Sequence, residues 1–143
     1  ITIKLPDHIP TACINNAGRR YNVPEMALLA ILRQESGGRI GVIGNNTNGS
    51  RDYGPAQIND KAWGDHLQQK YGITLDDVLH DMCQAIMVQA YILRIALNRC
   101  IVKGNTDIWC GIAHYHSSNP YYQKKYVSAV WEQYQKMVAR GKF

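Results

Sequence analysis

The sequence has no long hydrophobic run, and this absence narrows the class of protein. Polar or charged side chains interrupt every apolar segment of the 143 residues before it reaches the roughly 18 residues that a membrane-spanning helix needs. Composition is otherwise typical of a globular chain, with 45% hydrophobic and 19% charged residues. The sequence therefore predicts a folded domain with no membrane span.

A concentrated run of basic residues is also missing. The net charge is +5, but the 16 Lys and Arg residues are scattered along the chain. A basic surface attracts anionic polymers in general, whereas nucleic-acid-binding segments usually cluster their positive charges. We therefore expect no nucleic-acid partner, and the charge remains compatible with either an anionic lipid surface or an acidic cell-wall glycan.

The cysteines contain no CxxC pair, the spacing typical of zinc sites. Four cysteines without that spacing favour two disulfides, and Cys13, Cys83, Cys100 and Cys110 allow three connectivities. Structural disulfides form in oxidising compartments. The chain begins at Ile1 rather than Met, and we expect from this that a leader has been removed or that the sequence has been trimmed.

Apolar residues recur at steps of three and four along most of the chain, which is the period of an α-helix. The pattern predicts five helices. The first opens at Pro10, the second is capped by Asn22, and the third runs from Val78 onward. The fourth is capped by Asp107, and the fifth starts at Asn119-Pro120. The period is lost over residues 39–59, where Asn48-Gly49 is a strong hairpin signal. We expect one compact domain over residues 1–143, mainly α, with a small β-hairpin region around residues 39–59.

Glu35 is a carboxylate at the end of an apolar helix face. Leu28, Ile31, Leu32 and Glu35 lie at i, i+3, i+4 and i+7, so their side chains share one side of the helix. Burial and the negative end of the helix dipole would both raise the pKa of Glu35. A carboxylic acid that keeps its proton near neutral pH can act as a general acid. From position alone, an exposed glutamate at a fraying helix end remains the alternative.

Three ordered motifs give this glutamate a context. They are Glu35-Ser36-Gly37-Gly38, then Asn48-Gly49-Ser50 with Asp52, Gly54 and Gln57-Ile58-Asn59, and finally AHYHSSNP from Ala113 to Pro120, which contains Tyr115. Together they resemble the lysozyme-like superfamily. Within it, they resemble the specialised lytic transglycosylases that accompany bacterial secretion, conjugation and pilus machines. The chain departs from that pattern at Arg39, at Pro55-Ala56, and at the histidines that flank Tyr115.

The resemblance implies an α+β lysozyme-like fold and cleavage of the β-1,4 bond between N-acetylmuramic acid and N-acetylglucosamine in peptidoglycan. It implies 1,6-anhydro products, a periplasmic location and service to a secretion, conjugation or pilus apparatus, with no cofactor. Glu35 would be the acid and then the base, and Ser36, Gln57 and Tyr115 would bind the substrate. Ser36 would orient the acetamido group or Glu35, and Gln57 would hold an acetamido or hydroxyl group of the sugar. An ordinary helix-end serine and a bond from Gln57 to the hairpin backbone are the alternatives. Tyr115 would also give its hydroxyl to Glu35.

Asp52 leaves the reaction type open. It occupies the position of the second carboxylate of C-type lysozymes, so a true muramidase that uses water is the nearest alternative. Asp52 could equally brace the turn near Ser50. A non-catalytic peptidoglycan-binding scaffold is a further alternative. His114 and His116 alternate without a third ligand at useful spacing, so we expect no metal site.

Overall fold

The computed structural model describes residues 2–143, and helices dominate it. Within this range the seven α-helices are α1 Thr11–Tyr21, α2 Glu25–Ser36, α3 Asp65–Tyr71, α4 Leu75–His80, α5 Met82–Val102, α6 Ile108–His116 and α7 Pro120–Arg140. The strands are β1 Ile43–Asn45, β2 Arg51–Tyr53 and β3 Ile58–Asn59, and a π-helical turn, Asp60–Gly64, precedes α3. The predicted mainly α architecture with a small β region is confirmed.

Helix α5 is the centre of the hydrophobic core. It contacts α1, α2, α4 and α6, and α7 closes the core against α2 and α6. Among the described residues, α5 is the one helix long and apolar enough to cross a membrane by length and composition alone. More than half of that apolar segment is buried inside the fold, as in the core helix of a globular domain.

Two disulfides fix the neighbours of α5. Cys13–Cys83 joins α1 to the start of α5, with 5.1 Å between the Cα atoms. Cys100–Cys110 joins the end of α5 to α6, with a Cα–Cα distance of 6.2 Å. One of the three possible connectivities is thereby selected. The two bridges hold α5 at both ends.

The region between α2 and α3 folds into a three-stranded antiparallel sheet in the order β1-β2-β3. Asn46 donates its backbone N–H to the carbonyl of Ser50, and Gly49 adopts a φ of 84° in the connecting turn. A left-handed backbone of this kind favours glycine, as the Asn-Gly signal predicts. The hairpin is confirmed, and the third strand was not predicted.

Two predicted helix boundaries are wrong. Asn22 does not cap α2: it ends α1 in the left-handed conformation with a φ of 51°, and Pro24 precedes α2. The helix expected to run on from Val78 is interrupted, because Asp81 is extended and its side chain accepts the N–H of Gln84 to start α5. Asparagine tolerates the left-handed region, so Asn22 can end a helix as well as start one. Aspartate is a strong N-cap, so Asp81 can start a new helix inside a continuous apolar pattern.

The other caps follow the sequence. Asp107 accepts the N–H of Trp109 at the start of α6, and Asn119 accepts the N–H of Tyr121 at the start of α7. Helix α3 and the separate α4 were not predicted, because both are too short to display a clear helical period. Thr74 and Asp77 form a capping box at α4.

Gly54 lets the sheet approach helix α4 closely. Its φ is 78°, and a Cβ atom added there would lie 1.9 Å from the carbonyl oxygen of Val78. Backbone, rather than a flexible side chain, blocks this position. Gly54 therefore holds the β2–β3 turn against α4, and that turn carries part of the cleft described below.

We predict that Gly54→Ala destabilises the protein by roughly 3–5 kcal/mol, since it adds a backbone clash to left-handed strain. Gly72→Ala is the matched control, because Gly72 has a φ of 66° and a Cβ atom added there would meet open space, with nothing within 4 Å. That control should cost only about 1–2 kcal/mol. Chemical denaturation of the two variants measures the difference, and equal losses would contradict the close approach.

Candidate active site

A cleft of about 720 Å³ lies between the sheet and helix α6, with α5 as its floor. Four of the five predicted site residues line it: Glu35, Asp52, Gln57 and Tyr115. Ser36 lies behind the cleft and is buried. Residues separated by up to 80 positions in the chain are thus brought to one concave surface, with the sheet as one wall.

Glu35 is in the last turn of α2, which ends where Gly37 takes a φ of 68°. Its side chain is half-buried and lines the cleft. Desolvation raises the pKa of Glu35 from 4.5 to about 7, and the charge of Asp52 adds to the rise. A hydrogen bond from Tyr126 opposes it. The result is a carboxyl group that is partly protonated at neutral pH.

The hydroxyl that reaches Glu35 belongs to Tyr126 of α7. Its O–H donates to Oε2 of Glu35 at 2.8 Å, and the side chain is only 6% exposed. The sequence predicted that the hydroxyl of Tyr115 would donate to Glu35, but Tyr126 makes this hydrogen bond. Helix α7 reaches Glu35 because α7 packs on α2, a contact between segments 91 residues apart. Tyr126 and Val130 are four residues apart and both buried. This helical spacing was the sequence signal that Tyr126 faces the core.

Tyr115 projects from α6 into the same cleft. Burial raises the pKa of Tyr115 well above its usual range, and the charges of Glu35 and Asp52 raise it further. Its hydroxyl therefore stays protonated and can donate a hydrogen bond. Its part in substrate binding stays a prediction.

Asp52 is held by a network of amides in the sheet. Asn46 donates to its Oδ2 at 3.2 Å, and Asn59 donates to its Oδ1 at 2.9 Å. The same two asparagines donate to the buried hydroxyl of Ser50, each at 3.0 Å. Asp52 thus braces the hairpin near Ser50 and also faces the cleft.

Ser36 and Gln57 tie the cleft walls to the backbone. The Ser36 hydroxyl donates to the carbonyl of Pro55 at 2.6 Å and accepts the N–H groups of Gly38 and Arg39 at 3.1 Å. The hydroxyl is fully occupied in joining the end of α2 to the β2–β3 turn.

Gln57 has a φ of 53°, and its amide nitrogen donates to the carbonyls of Val42 and Gly54 at 3.2 and 3.0 Å. These bonds fix the side chain in the cleft wall. Its carbonyl oxygen lies 2.8 Å from the position that a Cβ atom on Gly44 would occupy, so a side chain at Gly44 would displace it.

His116 was considered in the sequence only as a metal ligand. The structure stacks its ring on that of Tyr126, with parallel planes and centroids 4.1 Å apart. Burial lowers the pKa of His116, while the charge of Asp52 works in the opposite direction. His116 therefore covers the tyrosine that donates to Glu35.

One cluster of metal-ligating residue types adjoins the cleft. Ligand atoms of Cys100, Cys110 and His114 lie within 4.8 Å of one another. The two sulfur atoms are bonded to each other and offer no thiolate, which is the form that binds metals. This cluster therefore does not fit a metal in the disulfide-bonded protein.

Comparison with known proteins relates this geometry to a family. The family model described as the transglycosylase SLT domain matches residues 12–137. Invasion protein IagB of Salmonella typhimurium (strain SL1344) is 31% identical over 131 residues, which cover 87% of this chain and 76% of that protein. Protein IpgF of Shigella flexneri is 50% identical over 48 residues, which cover 34% of this chain and 32% of that protein.

The family model spans most of the chain and includes every residue that lines the cleft. The resemblance drawn from the three motifs is confirmed at this level. The chain belongs to the transglycosylase SLT domain family of the lysozyme-like superfamily, and it is a lytic transglycosylase whose substrate is peptidoglycan.

Proposed function

We propose that Glu35 makes both proton transfers of the lytic reaction. As the acid it protonates the bridging oxygen, and the bond from that oxygen to C1 of N-acetylmuramic acid breaks. N-acetylglucosamine leaves with a free hydroxyl, and C1 becomes oxocarbenium-like. Glu35, now a carboxylate, takes the proton of the C6 hydroxyl while O6 bonds to C1. The product has a 1,6-anhydro end, and Glu35 is protonated again.

The observation that carries this proposal is the position of Glu35, a shielded carboxyl on the wall of a cleft, with a pKa raised to about 7. A group that both gives and takes a proton works best when its pKa is near the working pH. A pKa near 7 leaves both forms accessible. The acetamido group of the substrate helps to stabilise the positive charge at C1.

Tyr126 adjusts this balance in the proposal. Its hydroxyl donates to Oε2 of Glu35, and this stabilises the carboxylate that acts in the second step. Its O–H also fixes the orientation of the carboxyl group. The stacked ring of His116 excludes water from that hydrogen bond.

The remaining predicted residues have roles that follow from their contacts. Ser36 acts indirectly, since its hydroxyl joins the end of α2 to the β2–β3 turn and thereby positions Glu35. Gln57 uses its amide nitrogen for the backbone, so its carbonyl oxygen is the atom available to an acetamido N–H or a sugar hydroxyl. Tyr115 donates its hydroxyl to the sugar bound beside Glu35.

Hydrolysis by water is the second candidate reaction, and Asp52 is the observation that favours it. Asp52 faces the same cleft and is close enough for its charge to raise the pKa of Glu35. A second carboxylate could act as a nucleophile or stabilise the oxocarbenium charge. Both oxygens of Asp52 already accept hydrogen bonds from asparagines, which supports a bracing role instead.

We also propose that the protein acts in the periplasm and opens the wall for a secretion, conjugation or pilus apparatus. Two disulfides suit an oxidising compartment, and peptidoglycan lies outside the cytoplasm. One relative is described as an invasion protein, which supports a link to a machine that crosses the envelope.

The product distinguishes the two reactions. Digestion of purified sacculi by the wild-type protein should release mainly muropeptides with 1,6-anhydro ends, because the C6 hydroxyl rather than water attacks C1. Mass spectrometry separates them from reducing-end products, which are heavier by one water. A majority of reducing ends would favour hydrolysis with Asp52 as the second carboxylate.

Glu35→Gln should lower the cleavage rate by roughly 10²–10⁴-fold, because the amide can neither give nor take the proton. The exposed Glu132→Gln, in an ion pair with Lys136 on α7, is the control and should keep wild-type activity. Release of muropeptides measures both. Unchanged cleavage by Glu35→Gln would remove Glu35 from the mechanism.

The free energy of unfolding of Glu35→Gln shows whether its loss of activity comes from misfolding. The pKa of Glu35 is raised in the folded state, so the folded protein binds more protons than the unfolded chain between pH 4.5 and about 7. Its stability therefore falls as pH rises through that window, and Glu35→Gln removes the fall. At pH 8 the variant should be more stable than the wild type, by about 1–3 kcal/mol in denaturant titration.

Tyr126→Phe should shift the pH dependence of cleavage. The lost hydrogen bond lowers the pKa of Glu35 in the wild type, so the variant should have a pKa above about 7. Activity needs protonated Glu35, and its decline on the alkaline side should therefore move to higher pH. Rates measured from pH 5 to 9 test this, with Tyr134→Phe on the same helix as control. An unshifted profile would show that the hydroxyl does not act on Glu35.

A further inference from the structure

The floor of the cleft is one face of helix α5. Ile92, Ile95, Ala96 and Arg99 line it, at the i, i+3, i+4 and i+7 spacing that places side chains on one side of a helix. Seven residues correspond to about 10 Å along the axis, at about 1.5 Å per residue. The floor is therefore an apolar strip that ends in a guanidinium group.

Arg99 is an exposed cation with no ion-pair partner among residues 2–143. The two ion pairs in that range are His80–Asp76 and Lys136–Glu132, which lie outside the cleft lining. The two carboxylates that line the cleft, Glu35 and Asp52, are hydrogen-bonded to Tyr126 and to asparagines instead. The positive charge of Arg99 thus faces the cleft uncompensated.

The backbone next to this cation is fixed. Cys100 follows Arg99 and is bonded to Cys110 of α6. Four residues beyond Cys110, His114 also lines the cleft, and one of its ring nitrogens lies within 4.8 Å of both sulfur atoms. The disulfide therefore holds the Arg99 end of α5 against α6, so that Arg99 and His114 lie at the same end of the cleft. A cation on an anchored helix end is suited to bind a defined group.

The geometry points to Arg99 as the residue that binds a carboxylate of the muramoyl side chain. This inference rests on the proposed function, in which the glycan strand lies in this cleft beside Glu35. The sugar rings themselves are uncharged, so the anions of the strand are the carboxylates that its muramoyl residues carry. Arginine pairs with a carboxylate through two parallel N–H donors, a geometry that lysine does not provide.

Two sources can supply that carboxylate. In strands that bear stem peptides, the lactyl carboxyl is tied up in an amide bond, and the peptide carries the negative charge. In strands without peptides, the lactyl carboxylate is free. Either group would be held at the Arg99 end while the sugar rings cover the apolar strip of α5. Arg99 would then distinguish muramoyl glycans from neutral chitin-like ones.

The test measures binding with Glu35→Gln as the background, so that ligands are not cut. Three tetrasaccharides are compared by calorimetry: a peptide-bearing muropeptide, the same glycan without peptides, and uncharged chitotetraose. Arg99→Ala should weaken at least one of the two carboxylate-bearing ligands by about tenfold and leave chitotetraose unchanged. Loss on the first ligand assigns the peptide carboxylate, and loss on the second assigns the lactyl group.

Two further variants check that the loss of affinity in Arg99→Ala comes from the guanidinium group at this position. Arg19→Ala removes the same charge from the exposed face of α1, away from the cleft lining, and should leave all three affinities unchanged. Arg99→Lys should recover only part of the affinity, because the two-donor geometry is lost. The effect of Arg99→Ala should also shrink as salt rises from about 50 to about 500 mM, since screening weakens exposed charge pairs.

Two outcomes would overturn the inference. An equal loss of affinity for chitotetraose would mean that Arg99 supports the cleft rather than a carboxylate. No loss for any ligand would mean that the cation takes no part in binding. These outcomes are read from affinity, whereas the role of Glu35 is tested separately by the cleavage rate of Glu35→Gln.

Discussion

The arrangement of this protein depends on one carboxyl group that is withdrawn from water where helix α2 ends. Desolvation is the largest influence on the pKa of Glu35, and the hydroxyl of Tyr126 offsets part of it. Burying an ionisable group costs stability unless it has a partner or keeps its proton. Glu35 has both, because α7 brings a tyrosine to it and the raised pKa keeps it partly protonated. The same burial that costs stability above pH 4.5 raises the pKa of Glu35, which suits the acid role proposed for it.

The rest of the fold holds the surroundings of that carboxyl in place. The hydroxyl of Ser36 joins the end of α2 to the β2–β3 turn, and the close approach of Gly54 to Val78 holds this turn on α4. Cys100–Cys110 secures the opposite wall by joining α5 to α6. The cleft therefore has walls fixed to the core by backbone contacts and a covalent bond. Such rigidity would keep the proposed catalytic group in one orientation, so that no reorganisation is needed at each turnover.

Prediction from the sequence succeeded where local chemistry decides the structure. Asp107 and Asn119 cap helices as expected, and the Asn48-Gly49 turn forms, because each depends on a few neighbouring residues. It failed where one residue type serves two purposes. Asn22 ends α1 instead of starting α2, and Asp81 interrupts a helix whose apolar pattern continues across it. Neither the pattern nor the propensity shows which of two adjacent helices a capping residue belongs to.

The sequence by itself determined that Glu35 lies on an apolar helix face and that Asp52, Gln57 and Tyr115 belong to motifs that accompany it. The tertiary structure decided which groups act on that carboxyl. Tyr126 is 91 residues away in the chain, and its hydroxyl reaches Glu35 because α7 packs on α2. Arg99 likewise faces the cleft because α5 forms its floor. Spacing along a chain specifies which face of a helix is apolar, whereas the partner of that face depends on how whole helices pack.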